Sequence, residues 1–244
     1  MKDVINKLLS LSEEANRKPT VASGSEIHQS ATYAIDYPHL FVLSCVMDKQ
    51  YSSDKAWKIP TIVCRELVGS MDIKELAKLD EDTYIKFFNE KKLHRFNEAI
   101  ARDFYAAVHR IMDDYNGDAS QIWAGKPSSA EVVYRFLQFK GVGVKIATMA
   151  TNLLLRDYKV EYSDYCSIDI SADVHVMRVM HRLGLIDDEH NREMAIYRAR
   201  AINPTYPGII DQFCWELGKN GICRSAAPLC NECPMRDVCK NTIQ

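Results

Sequence analysis

Four cysteines around residue 230 have a spacing that is typical of metal ligands. Cys223, Cys230, Cys233 and Cys239 lie in the stretch CRSAAPLCNECPMRDVC, with six, two and five residues between them. Four thiolates so close along the chain can surround one tetrahedral metal ion or one cubane cluster, and ligand type alone leaves zinc and iron–sulfur both open. The alternative, two disulfides or free thiols, is the weaker one, because clustered cysteines in a reducing cytosol bind metal more often than they pair.

A second candidate site is the segment FKGVGVKIAT, residues 139–148. Gly141 and Gly143 allow a tight turn with positive φ in which no side chain obstructs the backbone. The amides of both glycines and of the next helix's first turn would then point outward, where they can bind a phosphate oxygen with help from Lys140. The segment alone does not decide the matter, because any two helices can be joined through Gly-x-Gly and Lys145 can be an ordinary surface lysine.

The composition is that of an ordinary globular protein, with 244 residues, 47% of them hydrophobic and 26% charged. No stretch reaches the roughly 18 apolar residues of a membrane span. The amphipathic start lacks the continuous apolar run of a secretory signal. We therefore expect an intracellular protein, cytoplasmic or nucleoid-associated, without a membrane partner. The net charge of −2 disfavours a general basic coat.

The other four cysteines have no metal-ligand spacing. Cys45, Cys64 and Cys166 are scattered along the chain, and each is most simply a small buried apolar residue. Cys214 lies on a predicted helix before the cysteine cluster, and we expect it to be packed rather than to bind metal.

Helical periodicity dominates the rest of the sequence. Strand-like alternation is weak and confined to KVEYSDYCSIDI, and we find no repeats, so the sequence predicts an all-α fold. Gly141 and Gly184 follow periodic stretches at positions typical of helix ends. The predicted helices are PHLFVLSCVM, continued by DKAWKIPTIVCREL, then NEAIARDFYAAVHRIM, SSAEVVYRFLQF, VKIATMATNLLL, DVHVMRVMHRLGL, REMAIYRARAI and GIIDQFCWEL.

Taken in this order, the segments GVG-x-K, ADVHV-x-RV and C-x6-C-x2-C-x5-C resemble the endonuclease III family of DNA glycosylases. The resemblance covers roughly residues 38–239. It implies that the four cysteines bind a 4Fe–4S cluster and that the hairpin with Gly141 and Gly143 binds DNA. It also places Lys145 at the position of the family's Schiff-base lysine and Asp173 at that of its catalytic aspartate.

This assignment explains why a lysine stands at the start of a helix. A lysine nucleophile must be neutral, and both the positive end of a helix dipole and burial disfavour the ammonium form. A neutral amine at Lys145 can attack C1′ of a nucleotide, displace the base and leave a Schiff base. Asp173 precedes a helical run and is expected to be its N-cap, which would fix a carboxylate that stabilises charge at C1′ or relays a proton. His175 matches a family histidine, which we interpret as a packed supporting residue.

Several positions depart from the family pattern near the parts that recognise substrate. Residues 156–171 form a longer connection, RDYKVEYSDYCSIDIS, and the cysteine loop carries few basic residues. Gln50 is a candidate for filling the hole left by a flipped base, although its segment DKQYSSD is one residue longer than in the family. Leu93 or His94, in KKLHRF, is the candidate for a wedge between base pairs.

The resulting prediction is a base-excision repair enzyme with DNA glycosylase and AP-lyase activity, working as a monomer on double-stranded DNA that contains a damaged base. Its two helical lobes would hold DNA in a cleft: a helical barrel from 30 to 155 that ends in the helix-hairpin-helix, and a discontinuous lobe from 1–29 and 156–244 that contains the cluster loop 223–239. An oxidised pyrimidine is the default substrate. The alternatives are a related glycosylase for an oxidised purine or a mismatched base, and a non-catalytic helix-hairpin-helix DNA-binding protein.

Overall fold

The computed structural model describes residues 1–17 and 33–242, and within these ranges the chain is helical and contains no strand. It divides into two compact units. The terminal unit combines Met1–Pro19, Ser128–Ala130 and Tyr162–Gln244, and the middle unit combines Thr20–Pro127 and Glu131–Glu161. The sequence analysis places the end of the barrel lobe at residue 155, and in the structure the middle unit ends at Glu161. The predicted boundary at residue 30 lies outside the described residues.

The middle unit is built around the buried helix Pro38–Met47 and the amphipathic helix Asn97–Tyr115, whose apolar face is buried. Every residue from Leu40 to Met47 is buried, as the continuous apolar run predicts. The stretch DKAWKIPTIVCREL is not one helix but several short pieces, the last of which is a π-helix that ends at Gly69 in the left-handed region. The helices are α2 (Tyr33–Asp36), α3 (Pro38–Met47), α4 (Ser53–Ala56), α5 (Ile59–Ile62), the π-helix Val63–Val68, α6 (Ile73–Leu76), α7 (Glu81–Lys91), α8 (Asn97–Tyr115), the 3-10 helix Ala119–Ile122, α9 (Ser129–Leu137, of which Ser129 and Ala130 belong to the terminal unit) and α10 (Val144–Arg156).

The terminal unit has its own core. Leu8 of the first helix packs in one cluster with Val176, Met180 and Leu217, and Met235 of the cysteine loop is buried in the same cluster. The loop is therefore fastened to the core by an apolar side chain. The helices are α1 (Lys2–Arg17), α11 (Val174–Arg182), α12 (Arg192–Ile202), the 3-10 helix Pro207–Ile210, α13 (Asp211–Lys219), and the 3-10 turns Cys230–Glu232 and Lys240–Thr242.

The connection from 157 to 173 has no regular secondary structure, in agreement with the predicted all-α fold. Tyr162, Ile168 and Ile170 are buried and produce the apolar alternation, but within the described residues no strand pairs with them. Ser129 fastens the connection, since its Oγ donates to Asp164 at 2.5 Å and accepts from the Ser167 amide at 3.1 Å.

Three of the four isolated cysteines lie as expected. Cys45, Cys64 and Cys214 are buried, whereas Cys166 is exposed, so the prediction of a buried Cys166 is wrong. Its thiol faces the carboxylate of Asp164 at 3.3 Å, which is a polar environment. None of the described helices has the length and apolar character that crossing a bilayer requires.

Candidate functional site

The turn between α9 and α10, residues 138–143, is called the hairpin turn below. Gly141 has φ +82°, in the left-handed region that favours glycine. Gly143 has φ −104° and ψ 179°, so only one of the two glycines has the positive φ that the sequence analysis expects. Gly143 is the N-cap of α10 and has no side-chain cap, and a Cβ built on it would meet nothing within 4 Å. The space in front of Gly143 is therefore open to a ligand.

Four amide groups of this region lack an acceptor among the described residues. They belong to Gly141, Gly143, Val144 and Lys145. They lie at the N-terminus of a 13-residue helix, where the partial positive charge of the helix dipole favours an anion. The hairpin turn thus provides the donors that a phosphate group needs.

Lys145 is the second residue of α10. Its side chain is half-buried, and within residues 1–17 and 33–242 no carboxylate is close enough to form an ion pair with it. Lys145 is therefore a half-buried amine without an ionic partner in the described residues, at the N-terminus of α10.

Asp103 lies directly under the hairpin turn and was not anticipated. A Cβ at Gly141 would overlap its Oδ2, so only glycine fits between the turn and this carboxylate. Asp103 is buried, and two lysines are close to it: Lys49 Nζ is 3.5 Å from Oδ2 and Lys140 Nζ is 4.0 Å from Oδ1. The carboxylate therefore holds two positive charges beside the unbonded amides of the hairpin turn. Its sequence signal is a charged residue within the apolar stripe of α8.

The predicted gap-filling and wedge residues lie on two loops of the middle unit that contact each other. Gln50 is exposed and has φ +51°, and its carbonyl accepts from Arg95 Nη1 at 3.4 Å. The rings of Tyr51 and His94 lie 4.4 Å apart between centroids. The two loops therefore form one surface element.

His94 is not available as a wedge in this conformation. It is only 2% exposed, and its Nδ1 accepts from the Phe96 amide at 3.1 Å. Leu93 is half-buried and keeps the wedge prediction, while Phe96 is 41% exposed, with the Arg95 guanidinium 4.7 Å above its ring. The His94 ring packs inward against Tyr51 and supports the turn.

Asp173 is the N-cap of α11, as predicted. Its Oδ1 accepts from the amides of His175 and Val176 at 2.8 and 2.9 Å. No hydrogen bond to Oδ2 is found among the described residues, and the side chain is half-buried. Capping therefore fixes the carboxylate through one oxygen and leaves the other available.

His175 supports α11, in agreement with its interpretation as a packed residue. Its ring lies against Gly218 of α13, where any Cβ would overlap it. Burial lowers the pKa of His175, and the nearby Arg178 guanidinium lowers it further, while Asp173 opposes them. His175 Nδ1 lies 3.1 Å from Arg178 Nη2, and a neutral ring can accept this hydrogen bond.

The four clustered cysteines line one cavity of about 50 Å³ together with Arg182, Ile222, Pro228 and Asn241. None of the four forms a disulfide. A single water occupies roughly 10–15 Å³ on the same scale, so the cavity has room for several atoms. The charge of the neighbouring Arg182 suits bound thiolates, and the residues present therefore fit a thiolate-bound cluster. In the described part of the chain, no three His, Cys, Asp or Glu side chains are arranged to hold one metal ion.

Two arginines of α11 fasten the cysteine loop. Arg178 Nε donates to the carbonyl of Cys223 at 2.7 Å. One turn later, Arg182 donates to the carbonyls of Arg224 and Ser225 at 2.7 and 2.8 Å, and its Nη1 lies 3.4 Å from Cys223 Sγ. The helix that begins after Asp173 thus also holds the loop that carries the cysteines.

No model of a known protein family matches the sequence, and no curated protein matches it at the sequence level. Solved structures do match. A trapped endonuclease III–DNA covalent intermediate aligns with a TM-score of 0.61 and 17% identity, over 88% of this chain and 93% of the other. A non-covalent endonuclease III–DNA complex aligns with a TM-score of 0.59 and 18% identity, over 88% and 92%. The chain has an endonuclease III-like fold.

A third match has the same fold. A thermostable thymine-DNA glycosylase aligns with a TM-score of 0.61 and 13% identity, over 99% of this chain and 96% of the other. In the endonuclease III-like fold of this chain, Lys145 belongs to the middle unit, and Asp173 and the four cysteines belong to the terminal unit.

Proposed function

We propose that this protein is a DNA glycosylase of base-excision repair with AP-lyase activity, which removes a damaged base from duplex DNA. The observation that carries the proposal is Lys145: a half-buried lysine without an ionic partner among the described residues, at the N-terminus of α10 and directly after the hairpin turn. A protein that only bound DNA would gain more from a lysine that is fully exposed or paired with phosphate. The endonuclease III-like fold supports the same activity.

In the proposed reaction the neutral amine of Lys145 attacks C1′ of the flipped nucleotide. The bond from C1′ to the base breaks, and the base leaves with the bonding electrons and takes up a proton. The C1′–O4′ bond then breaks and the sugar ring opens to an imine between Nζ and C1′, and Nζ gives up two protons, one of them to O4′. The imine withdraws electrons from C2′, a C2′ proton is removed, and β-elimination breaks the bond from C3′ to the phosphate oxygen. Water then hydrolyses the imine and frees the lysine.

Asp173 is proposed to act on charge and protons near C1′. A fixed carboxylate stabilises positive charge as the glycosidic bond breaks, and it can accept the proton that the amine must lose. Its N-cap hydrogen bonds use Oδ1 only, which supports a role for Oδ2.

DNA binding is proposed to centre on the hairpin turn. The free amides at Gly141 and Gly143 would bind a backbone phosphate, with Lys140 beside them. Gln50 would fill the space left by the flipped base, and Leu93 would enter the duplex as the wedge. The protein would do this as a monomer.

We further propose that Cys223, Cys230, Cys233 and Cys239 hold a 4Fe–4S cluster, whose contribution when bound is to fix the loop that carries it. Anaerobically purified protein should be brown and contain about four iron atoms per chain. Cys230→Ser should lose the iron and the solubility together, whereas Cys166→Ser, outside the cavity, should keep both. Colourless protein with one equivalent of zinc would overturn the cluster proposal.

An oxidised pyrimidine is the proposed substrate, and a mismatched base is the second candidate. The second is favoured by the alignment with a thymine-DNA glycosylase over 99% of this chain. A panel of duplexes, each with one oxidised pyrimidine, oxidised purine or mismatch, separates these candidates. Absence of base release from every duplex would leave a non-catalytic DNA-binding protein.

The decisive test of the reaction is reduction of the imine. Borohydride should trap a covalent adduct between the wild-type protein and a duplex with a lesion or an abasic site. Lys145→Gln should abolish trapping and strand cleavage but keep DNA binding, because backbone amides make the phosphate contacts. Lys140→Gln is the matched control: it removes an exposed lysine from the same turn, so it should weaken DNA binding but should still be trapped when the duplex is saturating. Undiminished trapping of Lys145→Gln would contradict the proposal.

A further inference from the structure

The chain that leads to Asp173 is held by a pair of buried polar residues. The Ser171 amide donates to Asp211 Oδ1 at 2.8 Å, and the Ser171 hydroxyl donates to the two oxygens of the same carboxylate at 2.9 and 3.2 Å. Both side chains are almost fully buried. We call this arrangement the Asp211 clamp. It lies entirely within the terminal unit.

Between the clamp and Asp173 stands a single residue with an unfavourable backbone. Ala172 has φ +44°, in the left-handed region, and its side chain is buried. For a residue other than glycine this conformation is sterically unfavourable, so the surrounding contacts must impose it. On one side of Ala172 is the clamp, and on the other is the cap that Asp173 forms on α11.

Asp211 is well placed to impose this conformation. It is the first residue of α13, where the helix dipole stabilises a carboxylate, and α13 packs against α11 in the core of the unit. A buried carboxylate is costly unless it is hydrogen-bonded, and the two donors of Ser171 meet that need. Asp211 belongs to α13, which packs against α11. Its hydrogen bonds to Ser171 therefore fix the position of Ser171 relative to α11.

We propose that Asp211 is a positioning residue for Asp173: by binding both donors of Ser171 it holds Ala172 in the left-handed conformation that aims the Asp173 carboxylate. The inference rests on the proposed function, because it assigns the clamp to the carboxylate that acts at C1′. If the clamp is released, Ala172 relaxes to negative φ and turns the Asp173 backbone. The cap on α11 or the aim of Oδ2 must then change.

The experiment compares base release by the full chain under single-turnover conditions, together with the dissociation constant for lesion duplex. Asp211→Asn removes the negative charge that binds both Ser171 donors and puts an amide donor in the place of Oδ2, 3.2 Å from the Ser171 hydroxyl. It should lower the rate constant of base release by about 10- to 100-fold, the effect expected of a displacement near 1 Å. The dissociation constant should stay within about twofold, because the phosphate contacts of the hairpin turn are untouched. Ser171→Ala keeps the amide donor and should show a smaller loss in the same direction, so the test remains available if Asp211→Asn does not fold.

Two further variants separate positioning from general stability. Asn16→Ala removes the hydrogen bond from Nδ2 to the Ile209 carbonyl, two residues before Asp211. It should lower the melting temperature but not the rate of base release. Ala172→Gly added to Asp211→Asn should restore part of the lost rate, because glycine adopts positive φ without the steric cost.

The outcomes are distinct. An Asp211→Asn protein that releases base at the wild-type rate, or a double variant that shows no recovery, overturns the clamp's positioning role while the proposed function stands. A wild-type protein that releases no base and forms no trapped adduct overturns the proposed function and this inference with it. A rate loss that Ala172→Gly partly reverses supports both.

Discussion

Arg182 and Cys223 are joined by a hydrogen bond in which Nη1 lies 3.4 Å from Sγ. A cation beside a ligand sulfur stabilises the thiolate and favours the reduced state of a bound cluster. We therefore expect Arg182→Gln to lower the midpoint potential of the proposed cluster and to lose its iron faster in air, as measured by voltammetry and by iron content over time. Loss of the two carbonyl contacts should also cost about 1–3 kcal/mol of unfolding free energy.

Arg236→Gln is the control for this prediction. Arg236 lies in the same loop and is exposed. It should keep the iron as long as the wild type does. Equal iron loss from both variants would mean that the charge of the loop, rather than the contact with Cys223, protects the cluster.

Alanine at the two glycines of the hairpin turn should affect different properties: stability at Gly141 and DNA binding at Gly143. Gly141→Ala should lower the unfolding free energy by about 1–3 kcal/mol, because its φ is +82° and the added Cβ would overlap the Asp103 carboxylate. Gly143→Ala should unfold like the wild type, since its Cβ meets nothing. It should bind duplex more weakly, because the methyl group stands where a phosphate must approach. Thermal unfolding and DNA titration check the pair.

Salt gives a second readout for the same turn. Each phosphate contact releases counterions, so DNA affinity should fall steeply as salt rises. Gly143→Val, which blocks the turn more fully, should flatten this dependence. Wild-type affinity in Gly143→Val would refute the phosphate role of the hairpin turn.

The Asp173→Asn variant tests separately the two roles of Asp173, the N-cap on α11 and the negative charge in base release. The amide oxygen can still accept from the amides of His175 and Val176, so the melting temperature should stay close to that of the wild type. Base release should fall by about 100-fold or more, because the charge is lost. Cleavage of a preformed abasic site should fall less, since the glycosidic bond is already broken there. Equal losses in the two assays would argue against this division of roles.

Acid should destabilise the protein through its buried histidines. Burial lowers the pKa of His94, and the nearby Arg95 and Lys49 lower it further, although backbone carbonyls oppose them. Below the unfolded value of about 6.5 the unfolded chain binds a proton that the folded His94 does not. Stability should therefore fall as pH drops from about 7.5 through 6.5 towards the lowered folded pKa, and then level off.

The contribution of His94 can be isolated by thermal unfolding at several pH values. Asparagine offers an oxygen acceptor near the position of Nδ1, which accepts from the Phe96 amide. His94→Asn should therefore make the loss of stability between neutral pH and the lowered folded pKa of His94 smaller. His190 is exposed, and His190→Asn should leave the curve unchanged. Parallel curves for wild type and His94→Asn would contradict the assignment.

Local signals account for what the sequence predicts well. The apolar spacing of Ile100, Phe104 and Val108 is that of one buried helix face, and these residues line the interior side of α8. Asp173 caps α11 because a short acceptor before a periodic run is a property of neighbouring residues alone. The resemblance through three separate segments is matched by the endonuclease III-like fold.

Contacts between distant residues account for what the sequence does not predict. Nothing in the local sequence of Asp103 indicates that it meets Gly141, because the contact arises only when α8 packs under the hairpin turn. The inward position of His94 depends in the same way on Tyr51 from another loop. Ala172 in the left-handed region contradicts the intrinsic preference of alanine, so only the surrounding fold can specify it.

The contacts of α1 are with residues that are synthesised much later than α1 itself. Asn16 of α1 bonds to Ile209, 193 residues later, and Lys7 pairs with Asp237. During synthesis α1 therefore emerges from the ribosome while the helices that cover its apolar side are still untranslated. Val4 and Leu8 stay uncovered until those helices have been made. Closure of such a distant contact is slow, so a chaperone that shields residues 1–17 should raise the yield of folded chain more than one that acts on the middle unit.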